Sequence, residues 1–255
     1  RIGKGTHKGV IVVEQMIRKV SANYTRQCYV LKCDIRKFFD SVDHTILTSI
    51  IERKIKDTDV IWLLKEVIES YTSNLGASTR ERERVKTLDL FSIPNKGIPI
   101  GNLTSQIFAN IYMNELDQFV KHTLKIKNYA RYTDDFVIVS EDKSYLESLL
   151  PKLQLFLDKR LNLEIHPNKV SIIKSHRGVD FLGYVLFSHH KLLRTKTKRR
   201  IIRNLKDKVL LSENKPISEE NLEHSLQSYL GVLSHANTYK LSNWLKNQYW
   251  FWLND

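Results

Sequence analysis

The stretch "NYARYTDDFVIVSED", residues 128–142, places two adjacent aspartates, Asp134 and Asp135, between an aromatic lead-in and the apolar run 136–139. The patterns on either side of the aspartates predict a strand, a tight turn and a second strand, with the carboxylates at the tip of the hairpin. Aspartate is a common turn residue, so turn chemistry explains the pair when it is taken alone. Other acidic residues of the chain are needed to distinguish a structural turn from a metal-binding or catalytic site.

A third acid, Asp34, lies at the end of the apolar strand that "QCYVLKCDI", residues 27–35, predicts. Like charges that converge in a folded core are expensive unless they share a proton or bind metal ions. Oxygen ligands without nearby histidine or cysteine favour Mg²⁺ or Mn²⁺. Two such ions serve phosphoryl transfer in many enzymes. The three aspartates therefore indicate a candidate site for two Mg²⁺ ions, with Mn²⁺ as the alternative.

The charge of the chain indicates the class of partner. Its 255 residues contain 41 Lys and Arg against 28 Asp and Glu, a formal net charge of +13. Such an excess points first to nucleic acid and second to an anionic membrane surface. No apolar run approaches the roughly 20 residues of a membrane helix, so we expect a soluble protein without a membrane partner. Cys28 and Cys33 would face opposite sides of a strand, which predicts no disulfide and suits a cytoplasmic location.

Hydrophobic periodicity predicts the remaining elements. Helices are expected over 8–20, 43–55, 59–71, 101–124 and 144–160, strands over 163–166, 170–176 and 179–187, and a loop or hairpin over 76–96. The composition shifts near residue 190. The segment 191–208 is rich in Lys and Arg with Asp207 as its one acid, and the chain after it is mostly helical in pattern. We therefore expect a domain boundary near residue 190.

Five stretches resemble, in chain order, the palm motifs of reverse transcriptases. They are "VLKCDIRKFFDSVDH", "GIPIGNLTSQIFANIYMNELD", "YARYTDDFVIVS", "LNLEIHPNK" and "GVDFLGY". The resemblance covers most of residues 1–190 and implies an α+β fold: a right-hand polymerase palm, made of an antiparallel sheet with flanking helices, followed by a helical thumb. Its implied domains are a remnant of the connection between fingers and palm (1–26), the palm (27–189, with a loop or hairpin region at 70–97) and the thumb (190–255).

The resemblance also implies the catalytic set. Asp34 and Asp134 would hold both metal ions, with the carbonyl of Ile35 completing one coordination shell and Asp135 assisting. Lys169 matches the motif lysine that protonates the leaving pyrophosphate, although a solvated loop lysine would give the same pattern.

Further roles follow from the same motifs. Phe39 matches the steric gate that excludes a 2′-hydroxyl and so selects deoxynucleotides; Phe38 is the alternative gate, and packing in the core is the other explanation. The resemblance implies nucleotide contacts at Ile100, Gly101 and Gln106, a primer grip at Phe181, Leu182 and Gly183, and contacts to the nucleic-acid backbone at Arg194, Lys196, Lys198, Arg199, Arg200 and Arg203. Ordinary strand core and a solvated helix face are the alternatives for the last two groups.

The block before the long helix departs from the common family pattern. Most members carry Gln-Gly and Ser-Pro where this chain has Ile100-Gly101 and Ser105-Gln106. The form "IGNLTSQ" resembles the reverse transcriptases of diversity-generating retroelements. The family's glutamine contacts the incoming nucleotide, and Ile100 has no hydrogen-bonding group for this contact. Loss of a positioning contact predicts low fidelity, particularly opposite template adenine, because selectivity rests on differential transition-state binding.

The sequence thus predicts a prokaryotic RNA-directed DNA polymerase that extends a primer or cDNA on template RNA with deoxynucleoside triphosphates, with an oligomeric basic accessory protein as a partner known in that retroelement class. The resemblance implies that most of the fingers either lie before Arg1 or are absent, so this chain alone is expected to be weakly active or inactive. The alternatives are a defence-associated polymerase, a group II intron or retron reverse transcriptase, a non-catalytic nucleic-acid-binding scaffold and, least supported, a metal-dependent nuclease.

Overall fold

The computed structural model describes residues 3–71, 95–212 and 218–254. The chain divides into two compact units, one of residues 30–172 and one that joins residues 1–29 to residues 173–255. The region 70–97, predicted as a loop or hairpin, lies largely outside the described residues. The boundary near residue 190 was predicted from the shift in composition and the one near residue 27 from the family resemblance. Both remain predictions.

The helices match the predicted periodicity. In chain order they are α1 (Thr6–Val20), α2 (Phe38–Ser41), α3 (His44–Glu52), α4 (Thr58–Glu69), α5 (Leu103–Gln118), α6 (Lys143–Leu161), α7 (Thr195–Ser212), α8 (Glu219–Ser234) and α9 (Tyr239–Asn254). A π-helical turn, Phe119–Thr123, extends α5, and 3₁₀ turns occupy Pro167–Lys169 and Ser175–Arg177. The five helices predicted before residue 161 are confirmed to within a few residues at each end.

Aspartates begin three helices of the first unit. The side chains of Asp43, Asp57 and Asp142 accept hydrogen bonds from backbone amides in the first turns of α3, α4 and α6. These bonds satisfy amides that have no partner within the helix, and each cap typically stabilises its helix by about 1 kcal/mol. The acids of these helix starts therefore have a structural function, in contrast to Asp34, Asp134 and Asp135.

The strands form two sheets. They are β1 (Tyr29–Asp34), β2 (Tyr129–Tyr132), β3 (Asp135–Ser140), β4 (Ser171–Lys174), β5 (Val179–Phe181), β6 (Tyr184–Leu186) and β7 (Lys191–Leu193). One sheet has the order β2-β3-β1-β4 and the other the order β5-β6-β7. Strands β2 and β3 are antiparallel with Tyr132 opposite Asp135, so Thr133 and Asp134 form a two-residue turn. The predicted hairpin is confirmed, and β3 is buried over 136–139 because it lies between β2 and β1.

Two predicted strands differ from the structure. Residues 163–166 make one isolated bridge, Ile165 opposite Ile35, and do not form a strand. Pro167, which has no amide hydrogen, begins a 3₁₀ turn directly after this bridge and ends the pairing. Residues 179–187 form the β5–β6 hairpin in place of one strand. Its turn, Leu182-Gly183, has positive φ at both residues, as a type I′ turn requires.

The unit that contains the chain's last residues is built on helices α7, α8 and α9 together with β5, β6 and β7. Leu205, Leu226 and Leu245 are buried, one from each helix, because the three helices pack against one another. The helical character predicted after residue 190 is confirmed for residues 195–212, 219–234 and 239–254. Within the residues described, no helix combines the length and the hydropathy needed to cross a membrane.

Candidate active site

Asp34 ends β1, and the segment that follows α6 runs beside it. The amide of His166 donates to the carbonyl of Asp34 at 2.8 Å, and the amide of Arg36 donates to the carbonyl of Glu164 at 2.9 Å. This pairing brings the 3₁₀ turn that ends in Lys169 alongside the carboxylate. Lys169 Nζ donates to both oxygens of Asp34, at 2.9 and 3.0 Å. Hydrogen bonding to Asp34 is the main cause of the raised pKa of Lys169.

The carbonyl of Ile35 is left out of this pairing. The bridge between Ile35 and Ile165 is flanked by hydrogen bonds that use the carbonyl of Asp34 and the amide of Arg36. The structure therefore agrees with a backbone oxygen of Ile35 that can serve as a ligand, as the family resemblance implies.

Asp135 is half-buried at the start of β3, and its Oδ1 atom is buried without a hydrogen-bond partner among the described residues. Burial raises the pKa of Asp135 to about 6; Lys32 lowers it, Asp34 and Asp134 raise it further, and Lys169 lowers it. These five charged groups are thus within electrostatic range of one another, on strands β1 and β3, on the turn between β2 and β3, and on the Pro167–Lys169 turn. The structure brings together all three predicted aspartates and the predicted lysine.

Replacement of Asp135 by asparagine is expected to increase the free energy of unfolding at pH 7.5 in the absence of divalent metal. The folded-state pKa of about 6 lies above the ordinary value of 3.8, so keeping Asp135 ionised above pH 6 destabilises the fold. A pKa difference of this size corresponds to roughly 3 kcal/mol, and partial exposure of the carboxylate reduces the expected gain to about 1–2 kcal/mol. As the pH falls to 4, the wild type takes up the proton and the difference disappears.

Urea unfolding in the presence of EDTA at pH 4.0 and pH 7.5 measures this effect. If the free energies of unfolding of Asp135→Asn and wild type differed by the same amount at both pH values, the raised pKa of Asp135 would be contradicted.

The donor set fits hard divalent cations. Carboxylates of Asp34, Asp134 and Asp135 are oxygen ligands, and the buried Oδ1 of Asp135 lacks the hydrogen bond that a folded protein normally supplies to such an atom. Among the described residues, however, no group of three or more His, Cys, Asp or Glu side chains is already arranged to hold a metal ion. Mg²⁺ is typically bound by one or two protein carboxylates and completes its coordination with water and substrate phosphates.

The two phenylalanines after β1 are distinguished by burial. Phe38 is 2% exposed and belongs to the core, whereas Phe39 is half-buried, with its ring in edge contact with that of Phe38. The structure therefore favours Phe39 as the residue that can meet a ligand. The amide of Ile98 donates to the carbonyl of Phe39 at 2.7 Å, which places the segment leading to Ile100 directly beside it.

The predicted nucleotide contacts lie at the start of α5. The side chain of Ile100 is 76% exposed, and Gly101 and Gln106 are also exposed. Gly101 has φ +102°, a left-handed conformation that lets the chain turn into the helix. Ser105, between them, is buried, and its hydroxyl has no hydrogen-bond partner among the described residues. These side chains are available to a ligand, and their roles remain predictions.

The remaining predicted residues belong to the other compact unit. Phe181 is fully buried as part of its core, and Leu182 and Gly183 form the β5–β6 turn. On α7 the basic side chains are exposed at Lys196, Lys198, Arg199, Arg200 and Arg203. Arg194 differs, because its guanidinium donates to Asp180 Oδ1, with an Nε to Oδ1 distance of 2.8 Å. Five of the six side chains predicted to contact the nucleic-acid backbone are therefore exposed to solvent. The sixth, Arg194, forms an ion pair within its own unit.

Three charged residues near the candidate site were not predicted from the sequence: Lys32, Arg131 and Asp117. Lys32 acts on the pKa of Asp135. Arg131 and Asp117 form an ion pair beside the hairpin turn, with only 7% and 22% of their side chains exposed. A basic residue within the apolar strand that precedes the two aspartates was the available signal, since charged residues are seldom buried unless they are paired.

The chain resembles proteins of one family across most of its length. The family model described as reverse transcriptase (RNA-dependent DNA polymerase) matches residues 3–186. Similar curated proteins include protein YkfC of Escherichia coli, 26% identical over 206 residues, which account for 68% of this chain and 49% of that protein. The group II intron-encoded protein LtrA of Lactococcus lactis is 25% identical over 214 residues, 59% of this chain and 33% of that protein. The chain thus spans about a third to a half of the length of these relatives.

A solved structure supports the fold independently. The apo telomerase of Candida tropicalis superimposes with a TM-score of 0.53 at 12% identity, covering 78% of this chain and 38% of that one. At this identity the likeness concerns the fold alone, and it agrees with the α+β polymerase architecture predicted from the sequence.

Proposed function

The chain belongs to the reverse transcriptase family, and on this premise we propose that it is an RNA-directed DNA polymerase that adds deoxynucleotides to a primer 3′-hydroxyl. One observation supports this most directly. Asp34 precedes the adjacent Asp134 and Asp135 by a hundred residues, yet the charges of Asp34 and Asp134 add to the burial that raises the pKa of Asp135. Such convergence of like charges is costly for folding and is characteristic of sites that handle phosphate with metal ions.

Each residue of the site has a defined role in this proposal. Asp34, Asp134 and Asp135, with the carbonyl of Ile35, would hold two Mg²⁺ or Mn²⁺ ions, which activate the primer hydroxyl and stabilise the leaving pyrophosphate. Lys169 carries a proton within reach of this centre and donates it to the pyrophosphate as the bond to the α-phosphate breaks. Its hydrogen bonds to both oxygens of Asp34 support this role, because they hold the lysine beside a proposed metal ligand.

Selection of the sugar is assigned to Phe39. Its half-buried ring makes an edge contact with the ring of Phe38, and its backbone carbonyl accepts a hydrogen bond from Ile98 in the segment that leads to Ile100. A ring in this position excludes a 2′-hydroxyl by steric contact. Gly101 and Gln106, both exposed at the start of α5, would contact the same nucleotide.

Binding of template and primer is assigned to the other unit. The exposed basic side chains of α7 would contact phosphates of the RNA–DNA duplex, and the Phe181-Leu182-Gly183 turn would contact the primer end. Binding is then expected to weaken steeply with salt, because each neutralised phosphate releases counterions.

The test of the proposed function is primer extension. The chain is incubated with an RNA template, an annealed DNA primer, deoxynucleoside triphosphates and Mg²⁺; template-dependent extension that stops on chelation of the metal is the expected result. Extension without any template would favour the defence-associated type of polymerase. Tight nucleic-acid binding without any extension would favour the non-catalytic scaffold, and cleavage of the template–primer in place of its extension would favour the nuclease.

We further propose that the enzyme belongs to the diversity-generating retroelement class, whose members work with an oligomeric basic accessory protein. The support is Ile100, which stands in place of the family's glutamine, has no hydrogen-bonding side chain and is 76% exposed. Ile100→Gln is expected to lower misincorporation opposite template adenine by about threefold to tenfold, since one restored contact contributes about 1 kcal/mol or more to discrimination.

Sequencing of extension products checks this prediction, with Leu155→Gln, an exposed apolar position on α6, as the matched control. An unchanged misincorporation spectrum in Ile100→Gln would remove the support for the retroelement class.

A second subclass has support from the comparisons. LtrA of Lactococcus lactis is a group II intron-encoded protein, and its similarity covers 59% of this chain. High fidelity opposite adenine in the wild type, combined with preferential extension on structured intron RNA, would favour this subclass.

A further inference from the structure

A buried ion pair lies directly beside the turn that carries Asp134. Arg131, on β2, donates from Nε to Asp117 Oδ1 at 2.8 Å and from Nη2 to Asp117 Oδ2 at 2.6 Å, while Asp117 is near the end of α5. The hydroxyl of Tyr129 donates to the same Asp117 Oδ1 at 2.8 Å. Burial alone would lower the pKa of Arg131, but the hydrogen bonds and the charge of Asp117 outweigh it and raise that pKa. Arg131 therefore keeps its positive charge in this pair.

The third nitrogen of the guanidinium connects this pair to the turn. Arg131 Nη1 donates to the carbonyl of Thr133 at 2.8 Å. The Thr133 hydroxyl lies 2.8 Å from Asp134 Oδ1 and 2.7 Å from the carbonyl oxygen of Tyr132, and its single proton is shared between these two acceptors. A continuous series of hydrogen bonds thus leads from a helix, through Arg131, to one of the proposed metal-binding carboxylates.

The backbone of Thr133 requires this support. Its φ is +53°, a left-handed conformation that is uncommon for a β-branched residue and costs on the order of 1 kcal/mol or more. A two-residue hairpin turn ordinarily places glycine, asparagine or aspartate where φ is positive. Threonine does not share the tolerance of these residues for positive φ, so contacts outside the turn must fix its conformation. The hydrogen bond from Arg131 to the Thr133 carbonyl is such a contact.

Stability alone does not account for a buried ion pair at this place. Replacing such a pair by apolar side chains of similar volume is often neutral or stabilising, since both ions lose their hydration. What the pair provides is a defined geometry: a planar guanidinium that contacts two carboxylate oxygens and one carbonyl holds all three acceptors in fixed relative positions.

We infer that Arg131 and Asp117 are positioning residues that fix the Thr133 carbonyl and, through Thr133, the carboxylate of Asp134. The inference rests on the proposed polymerase function, in which Asp134 binds metal. It assigns to α5 a second role besides packing, because the helix supplies the fixed end of the hydrogen-bond series.

Arg131→Lys tests the inference, because lysine keeps the charge but cannot contact Asp117 and Thr133 with the same planar fork. Under saturating nucleotide and Mg²⁺, the single-turnover rate constant is expected to fall about 10- to 100-fold, as small displacements of a reacting group commonly cause. The KM for nucleotide and the fraction of enzyme that reacts are expected to stay within about threefold. Asp117→Asn should act in the same direction, and the two substitutions combined should cost less than the product of their separate effects.

The matched control is Glu115→Gln on the same helix. Glu115 forms an ion pair with Arg53 at 3.0 Å, away from the hairpin, and its loss is expected to change the rate constant by less than twofold. A merely structural role of Arg131 would lower the reacting fraction and leave the rate constant unchanged, and this result would overturn the inference. An equal loss of rate in Glu115→Gln would also overturn it.

Mn²⁺ binding, followed by electron paramagnetic resonance, separates this inference from the proposed function. If the wild type fails to extend a primer, the polymerase proposal fails, and binding alone decides the positioning role. Arg131→Lys is then expected to raise the Kd for Mn²⁺ at least fivefold relative to wild type and to Glu115→Gln. Equal Kd values in the three proteins, or no binding by the wild type, would overturn the inference.

Discussion

Asp34→Asn and Asp134→Asn are each expected to lower Mg²⁺-dependent deoxynucleotide incorporation by about a thousandfold or more. Each substitution removes one negative charge from a group of acids that converge on one site and that we propose to hold both metal ions. Loss of several kcal/mol of transition-state stabilisation corresponds to a rate decrease of this size. Asp34→Asn also removes the carboxylate to which Lys169 is bound, so it disturbs the proposed general acid as well.

Primer extension under single-turnover conditions measures the loss, and a gel-shift assay measures affinity for the RNA–DNA duplex. Affinity is expected to be retained, because the basic residues proposed to bind the duplex are on α7 and are not altered. The matched control is Asp158→Asn on α6, which changes an exposed carboxylate in the same unit and should leave the rate within about twofold. Full activity in Asp134→Asn would contradict the proposed catalytic set.

Phe136→Ala is expected to lower the free energy of unfolding by about 3–5 kcal/mol, the largest stability effect of the predicted substitutions. Phe136 follows Asp135 on β3, is completely buried, and faces Arg131 of β2 in the hairpin register. Truncation to alanine removes apolar burial and leaves a cavity within the central strands of the sheet. A loss of this size is a large fraction of the 5–15 kcal/mol that stabilises a typical domain.

Urea denaturation followed by far-UV circular dichroism measures this change, with Leu155→Ala as the control. Leu155 is 60% exposed on α6, so its truncation is expected to cost less than about 1 kcal/mol. Similar losses in the two variants would contradict the central position assigned to Phe136.

Much of the fold was predictable because its signals are local. The hairpin around Asp134 and Asp135 follows from apolar patterning on both sides of a polar turn, and the helices follow from their periodicity and from caps such as Asp43. The family resemblance then connected Asp34 to the hairpin, which periodicity cannot do. In the structure the charges of Asp34 and Asp134 both contribute to the raised pKa of Asp135, and the catalytic roles of the three aspartates remain a prediction.

The features that sequence reasoning missed depend on distant partners. The bridge at Ile165 ends after one residue pair because Pro167 follows it, and Leu182-Gly183 turns because the two halves of 179–187 pair with each other. The choice between Phe38 and Phe39 depends on which ring the core covers. Arg194 resembles its basic neighbours in sequence, and only its contact with Asp180 separates it from them.

The sequence by itself determined the class of the protein: the order of its carboxylates, its apolar strands and its basic segment indicate a reverse transcriptase palm and a helical region after it. The tertiary structure decided which hydrogen bonds fix the residues of the site. Lys169 donates to Asp34, and Arg131 donates both to Asp117 and to the carbonyl of Thr133. The reason is physical. Apolar periodicity can be read from neighbouring residues, because each helix or strand must bury one of its faces. A buried hydrogen bond joins groups that come close only after the chain has folded.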